Sequence, residues 1–266
     1  MQYFDTLIHS GHKVNWPKNI KNINIVNILN KIENSNELFG AIVQDSPFFD
    51  QEHNFRNFVA SINQYEGNKK IYCCLSLPKR LGFENYINYI KEGQKLNVRI
   101  FKIHPRFINL KEIDLINILE YMIDQNLSIQ ICTYGYTSTG EQMYLHKDEF
   151  WEKFIKLAKN ARKNSIMLMH MGGTDLMKIH NFIRHSEAFI GDLSMTYLKY
   201  RPSSISDDIG FLLKNFDQRI SIGSDFPEYT PSEIIKFVKK DADKYGISEN
   251  KLRNFLINNA LKFVES

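Results

Sequence analysis

Short apolar runs alternate with longer stretches of helical period along the whole chain, and this alternation limits the fold more than any other feature. The runs are Tyr3–Ile8, Leu38–Val43, Ile71–Leu75, Val98–Ile103, Leu127–Thr133, Ile166–His170, Ala188–Leu193 and Arg219–Ser224. They recur at intervals of roughly 20 to 40 residues, the spacing of βα units. Many are continuously apolar, as parallel strands covered on both faces must be. The intervening segments carry helical stripes. Phe150, Phe154, Leu157, Ala158 and Ala161 share one face, as do Ile234, Ile235, Val238 and Ala242 after Pro231-Ser232. A last stripe of Leu252, Phe255, Leu256, Ala260 and Phe263 predicts an extra helix after the eighth strand.

Eight such units in a row predict a (β/α)8 barrel of the α/β class, with an open doubly wound sheet as the alternative. The length of 266 residues suits one barrel domain over 1–266, since such barrels run to about 250 residues. With 43% hydrophobic and 24% charged residues the chain can build a large core, which excludes bulk disorder. A formal net charge of +4, with no Lys/Arg block, gives no reason to expect a nucleic-acid partner. No apolar run approaches the roughly 18 residues of a membrane span, and the first residues lack the pattern of a signal peptide. Cys73, Cys74 and Cys132 have no disulfide-framework spacing, which predicts a reducing, cytoplasmic setting. Self-association into a homo-oligomer is left open. There is no Gly-x-Gly-x-x-Gly turn, Walker A loop or Gly-x-Ser-x-Gly elbow, so dinucleotide, nucleotide and serine-hydrolase sites lack their turn chemistry.

In a closed barrel the C-terminal strand ends converge on one mouth, where active sites are built. His9 follows the first run, His104 ends the fourth, Cys132 and Thr133 end the fifth, and His170 ends the sixth. Asp192 and Ser194 end the seventh, and Asp225 follows the eighth. Gathered together, such groups bind a metal, move a proton, or both. Each also has a plain structural reading: a strand-end His is often just hydrogen-bonded, and Asp225 could cap the next segment. His53, His146, His180 and His185 read as solvated surface residues. Lys102, His104 and Arg106 cluster at the fourth strand end and are expected to bind an anionic substrate; the structural alternative is a buried, paired Lys102 or a solvated Arg106. Tyr134 and Tyr136 would cover a ring-shaped substrate, or serve equally as loop packing. The expected partner is a small polar molecule.

Five segments together resemble the amidohydrolase superfamily, in its amidohydrolase-related branch of metal-dependent hydrolases. They are Phe4-Asp5-Thr6-Leu7-Ile8-His9, Phe101-Lys102-Ile103-His104-Pro105, Met169-His170-Met171-Gly172-Gly173, Ile222-Gly223-Ser224-Asp225-Phe226-Pro227 and Asn258-Asn259-Ala260. They fall in the family's order and span nearly the whole chain. The resemblance implies a TIM barrel and hydrolysis at its mouth. It casts Asp225 as general base and His170 as the group that stabilises the oxyanion. It also implies one divalent metal, commonly zinc, with His9, Cys132 and Asp225 as ligands.

The chain departs from the family pattern twice. Leu7 stands where the first His of a His-x-His pair is usual, and Cys132 stands at the usual strand-five His. Cys132 can ligate zinc as a thiolate and His12 could replace the missing ligand, but Leu7 cannot ligate at all. Three functions follow. One is a hydrolase of a C–N or ester or lactone C–O bond with an altered metal site. Another is a lactonase that needs no metal. The third is a barrel that has lost catalysis and binds a small ligand or a protein partner.

Overall fold

A computed structural model of the chain describes residues 1–11, 23–48, 50, 53–79, 81–108, 110–134, 145 and 147–266, with the side chain of Arg106 excepted. His12, Tyr136 and His146 lie outside the described residues, as does the Arg106 side chain.

Each apolar run forms a strand, and each strand feeds a helix. The order is β1 (Tyr3–Ser10), α1 (Ile25–Glu33), β2 (Leu38–Asp45), α2 (Phe55–Asn63), β3 (Lys70–Ser76), α3 (Phe83–Lys95) and β4 (Ile100–Ile103). Next come α4 (Pro105–Ile108), α5 (Glu112–Asp124), β5 (Ser128–Cys132), α6 (Asp148–Ala158), β6 (Ile166–Met169), α7 (Leu176–Arg184) and β7 (Phe189–Asp192). The chain ends with α8 (Thr196–Lys199), α9 (Ile205–Asn215), β8 (Ile220–Ser221), α10 (Pro231–Tyr245), α11 (Glu249–Arg253) and α12 (Asn259–Val264), the last two joined by a π-helical turn. The closing stripe expected after the eighth strand lies on α11, this turn and α12, and its residues are buried. Helix α10 starts where Pro231 suggests, behind a Thr230–Glu233 capping box that satisfies two otherwise orphaned backbone donors.

All eight strands are parallel, in the order β1 to β8. Chain segments just past β8 close the ring. The amide of Thr6 donates to the carbonyl of Ile222 at 3.3 Å, and that of His9 donates to the carbonyl of Phe226 at 2.9 Å. Buried Asp5 ties the same seam: its Oδ1 accepts from the amides of Ser224 at 2.8 Å and Leu7 at 3.1 Å. A Cβ on Gly223 would stand 2.7 Å from Thr6 Oγ1 and 2.9 Å from the amide nitrogen of Leu7, so the approach of β8 to β1 needs glycine there. This is the (β/α)8 barrel expected from the sequence, not the open sheet.

The barrel interior is layered. An apolar layer of Phe4, Leu7, Ile42, Cys74, Met167 and Phe263 fills the part nearest α12. Beside it runs a polar layer whose contacts cross between strands that are not neighbours. Lys102 Nζ donates to Gln44 Oε1 at 2.9 Å, and Gln130 Nε2 donates to the carbonyl of Thr6 at 3.0 Å. Thr6 Oγ1 donates to Asp192 Oδ2. Buried polar side chains persist only when partnered in this way.

Among the described residues seven other than glycine have a positive φ, and their positions divide sharply. Asn97, Asn126 and Asn164 lie before β4, β5 and β6, where asparagine tolerates the left-handed region. His170, Met171, Met195 and Asp225 lie after β6, β7 and β8, at the opposite end. Among the described residues, strain that the residue type does not favour is thus confined to the C-terminal mouth, as at functional sites.

Candidate active site

His9 and Asp225 meet at the seam between the first and last strands. His9 Nε2 lies 3.0 Å from Asp225 Oδ1, and both side chains are buried. On its far side, His9 Nδ1 faces Ser46 Oγ at 3.3 Å. Burial works against the Asp225 carboxylate. The hydrogen bond from His9 and the charges of His170, His9 and Lys102 outweigh it and bring the pKa down to about 2. Burial has the opposite effect on His9, holding its pKa below the ordinary histidine value despite its acidic partner.

A second group adjoins this pair. Cys132 ends β5 in register with Met169 of β6, so its neighbour across the ladder is followed at once by His170. His104 and His170 are the groups that act electrostatically on the Cys132 thiol. Burial pushes this thiol up, but the two imidazoles pull it well below its ordinary value. His170 is shifted upward: burial lowers it, and the contacts with Cys132 and Asp225 prevail. Both directions favour a thiolate beside an imidazolium.

The turn after β6 gives His170 its place. His170 has φ 63°, and Met171, Gly172 and Gly173 continue with φ of 42°, 74° and 65°. The amide of Gly172 donates to Thr133 Oγ1 at 2.9 Å, and that hydroxyl donates to the Met169 carbonyl at 2.7 Å, which locks the β5 and β6 ends together. His170 Nδ1 lies 2.9 Å from the Ser194 carbonyl and 3.2 Å from Ser194 Oγ. Ser194 is held in turn by Asp192, through its amide at 3.0 Å and through its hydroxyl. Asp192 and Ser194 therefore orient the ring from the β7 end.

The structure brings together His9, Asp225, His170, Cys132 and His104, as their strand-end positions suggest. Lys102 belongs to the same group but is fully buried and donates to Gln44. Burial lowers its pKa, and the charges of Cys132, Asp225, Cys74 and Asp192 only partly offset that. Tyr134 stands edge-on to His170, with ring centroids 6.2 Å apart, and packs with Met195 beside the partly buried Tyr200 and Tyr229. One polar cluster at the mouth escaped the sequence reading: Gln44, Asp45 and Ser46 at the end of β2. These residues directly follow the apolar run Leu38–Val43, so the strand-end rule could have found them. Nearby His53, read from the sequence as solvated, has its Nε2 3.6 Å from buried Asp45 Oδ2.

The described residues do not fit the metal centre that the resemblance implies. A catalytic zinc takes three protein ligands and keeps one open position. Here His9 and Asp225 are hydrogen-bonded to each other, and Leu7 packs in the apolar layer and cannot ligate. Among the described residues no group of three or more His, Cys, Asp or Glu side chains is arranged to hold a metal ion.

No family model matches the chain, and no curated protein matches it. Solved structures do. An uncharacterized TIM-barrel protein from Bordetella bronchiseptica superposes with a TM-score of 0.75 at 12% identity, covering 100% of this chain and 99% of that one. An organophosphorus hydrolase mutant from Deinococcus radiodurans gives a TM-score of 0.62 at 12% identity, over 98% and 92% of the two chains. A structure described as organophosphate hydrolysis engineered from a weak promiscuous lactonase template gives 0.60 at 13% identity, over 97% and 95%. At such identities the likeness establishes the fold, a TIM barrel. Among the described residues no helix is long and apolar enough to cross a membrane.

Proposed function

We propose that this chain is a hydrolase of the amidohydrolase type that cleaves an ester or lactone C–O bond in a small polar substrate without a bound metal. The observation that carries this reading is the buried His9–Asp225 pair beside His170 at the strained C-terminal mouth. Hydrolytic relatives in fold, two of which are described by organophosphate or lactone chemistry, support it by analogy.

Asp225 is ionised at any working pH and acts as the base toward water, with His9 beside it to carry part of the proton's charge. His170, in its imidazolium form, stabilises the oxyanion that develops on the substrate carbonyl and returns a proton to the leaving oxygen. A lactone suits such a site because its alkoxide leaves more readily than an amine. The substrate is small and anionic, held by Arg106 and covered by Tyr134 and Tyr136, with the protein in the cytoplasm.

Initial rates on a panel of lactones, aryl esters and amides test this reading. Turnover of a lactone or ester that falls by about 10²–10⁴ in Asp225→Asn is the expected result. Equal rates in the two proteins, or no turnover of any ester or lactone, would contradict it.

A further inference from the structure

The rim of the mouth beside His170 is aromatic and carries one cation. Tyr134 follows β5, Met195 and Tyr200 flank α8, and Tyr229 lies between β8 and α10. Tyr134 and Met195 are buried, with Tyr200 and Tyr229 partly buried against them. Tyr200 Oη donates to Tyr134 Oη at 3.2 Å, which joins two of these rings. Gly173 lets them close on the turn that carries His170. A Cβ there would stand 2.9 Å from the Tyr134 ring and 3.1 Å from Tyr200 Oη, and its φ of 65° disfavours any side chain. The aromatic wall is therefore set in place relative to His170.

Lys199 ends α8 and is drawn onto this wall. Its Nζ lies 4.9 Å from the centroid of the Tyr134 ring and 4.0 Å from Met195 Sδ. Both contacts are weak for an ammonium, which has three hydrogens to donate. Among the described residues Lys199 makes no ion pair. Arg201, two residues on, is by contrast turned to Asp241, with Nη1 3.1 Å from Oδ1 and Nη2 bonded to Oδ2. The ring of Tyr134 thus has an ammonium over its face, and His170 stands edge-on to it with centroids 6.2 Å apart. One tyrosine ring spans the distance between this charge and the reacting end of the site.

We propose that Lys199 binds a carboxylate of the substrate and, with the Tyr134–Tyr200 wall, selects a flat ring that carries this carboxylate a ring's length from the scissile carbonyl. The proposal rests on the hydrolase reading above and adds the substrate class to it: an ester or lactone of a ring carboxylate. The ammonium gives a charge-assisted hydrogen bond to the carboxylate, the tyrosine rings cover the substrate ring, and the carbonyl reaches His170. A lone ammonium matches the single charge of a carboxylate, whereas a phosphate calls for more donors than Lys199 supplies. Lys199 adds a contact from the β7 end to the one assigned to Arg106 at the β4 end.

Isothermal titration of the full chain with benzoate, benzamide and acetate tests the proposal without turnover. Benzoate carries the ring and the charge, benzamide the ring alone and acetate the charge alone. The expected result is millimolar or tighter binding of benzoate, about tenfold or more tighter than acetate. The preference for benzoate over benzamide should fall about tenfold in Lys199→Gln and persist in Lys199→Arg, which restores the charge. Equal benzoate affinity in the wild type and Lys199→Gln, equal binding of acetate and benzoate, or no benzoate binding at millimolar concentration overturns the proposal. Initial rates on 4-acetoxybenzoate separate it from the hydrolase reading. Hydrolysis with a KM about tenfold higher in Lys199→Gln is expected. Hydrolysis that Asp225→Asn abolishes, with the same KM in the wild type and Lys199→Gln, overturns the carboxylate contact and keeps the hydrolase. Lys199-dependent benzoate binding without turnover of any ester or lactone would instead sink the hydrolase reading and leave the carboxylate site standing.

Discussion

His9 Nε2 and Asp225 Oδ1 lie 3.0 Å apart although 216 residues separate them in sequence. Their contact crosses the seam that closes the barrel, so it ties stability to the site. A carboxylate depressed from 3.8 to about 2 contributes stability that is present above the unfolded value and lost as pH falls through the folded one. Removing the His9 donor in His9→Ala raises the Asp225 pKa and shrinks that contribution. The expected cost at neutral pH is up to about 2 kcal/mol, with His170 and Lys102 retaining part of the effect. Circular dichroism followed from neutral to acid pH should show His9→Ala unfolding at higher pH than the wild type. Superimposable acid transitions would show that the contact does not set the carboxylate's pKa.

Asp45 gives the opposite sign. Burial pushes its carboxyl up to about 8, against the hydrogen bonds from Ser76 and Tyr89. The native state then holds a proton that the unfolded chain releases at lower pH. This stability is complete below about pH 4 and lost progressively up to about pH 8. Asparagine mimics the protonated acid and keeps an acceptor for the Ser76 amide, which donates to Asp45 Oδ1 at 2.6 Å. Asp45→Asn should therefore gain on the wild type by at least about 1 kcal/mol between pH 5 and pH 8 in urea unfolding. A pH-independent difference would contradict the raised pKa.

Gly223 sets how closely β8 approaches β1. In Gly223→Ala the new methyl would meet Thr6 Oγ1 and the backbone nitrogen of Leu7 below 3.0 Å, and the backbone cannot yield cheaply. The expected loss is about 1–3 kcal/mol in urea unfolding, with lowered activity because Asp225 lies two residues on. A wild-type midpoint would show that the seam has slack.

Arg106 follows His104 at the end of β4 and is assigned the substrate's negative charge. Arg106→Ala should raise KM for an anionic lactone about tenfold or more and leave KM for a neutral one nearly unchanged. Equal KM values for the anionic substrate in the two proteins would remove Arg106 from recognition.

The strands were legible in the sequence because both of their faces are covered, and continuous apolar runs follow from that. β8 is the exception in length. The run Arg219–Ser224 predicts six residues of strand, and Ile220–Ser221 forms two, because beyond Ser221 the chain bonds to Thr6 and His9 of β1. Strand-end position likewise announced His9, His170 and Asp225. It could not announce the partners of Cys132, because a sequence gives the place of a side chain along a strand and not the imidazoles that flank it. That Lys102 is buried and paired was one of the two readings the sequence allows, but its partner Gln44 was hidden, since nothing in the sequence says that β4 and β2 side chains meet across the barrel interior.

Lactone and ester hydrolysis by the purified chain, before and after dialysis against a chelator, tests metal-free catalysis at the barrel mouth most directly. The account predicts an unchanged rate, dependent on Asp225, in protein whose zinc, manganese, iron and cobalt contents are all near zero. Activity that vanishes with the chelator and returns with added zinc would contradict it.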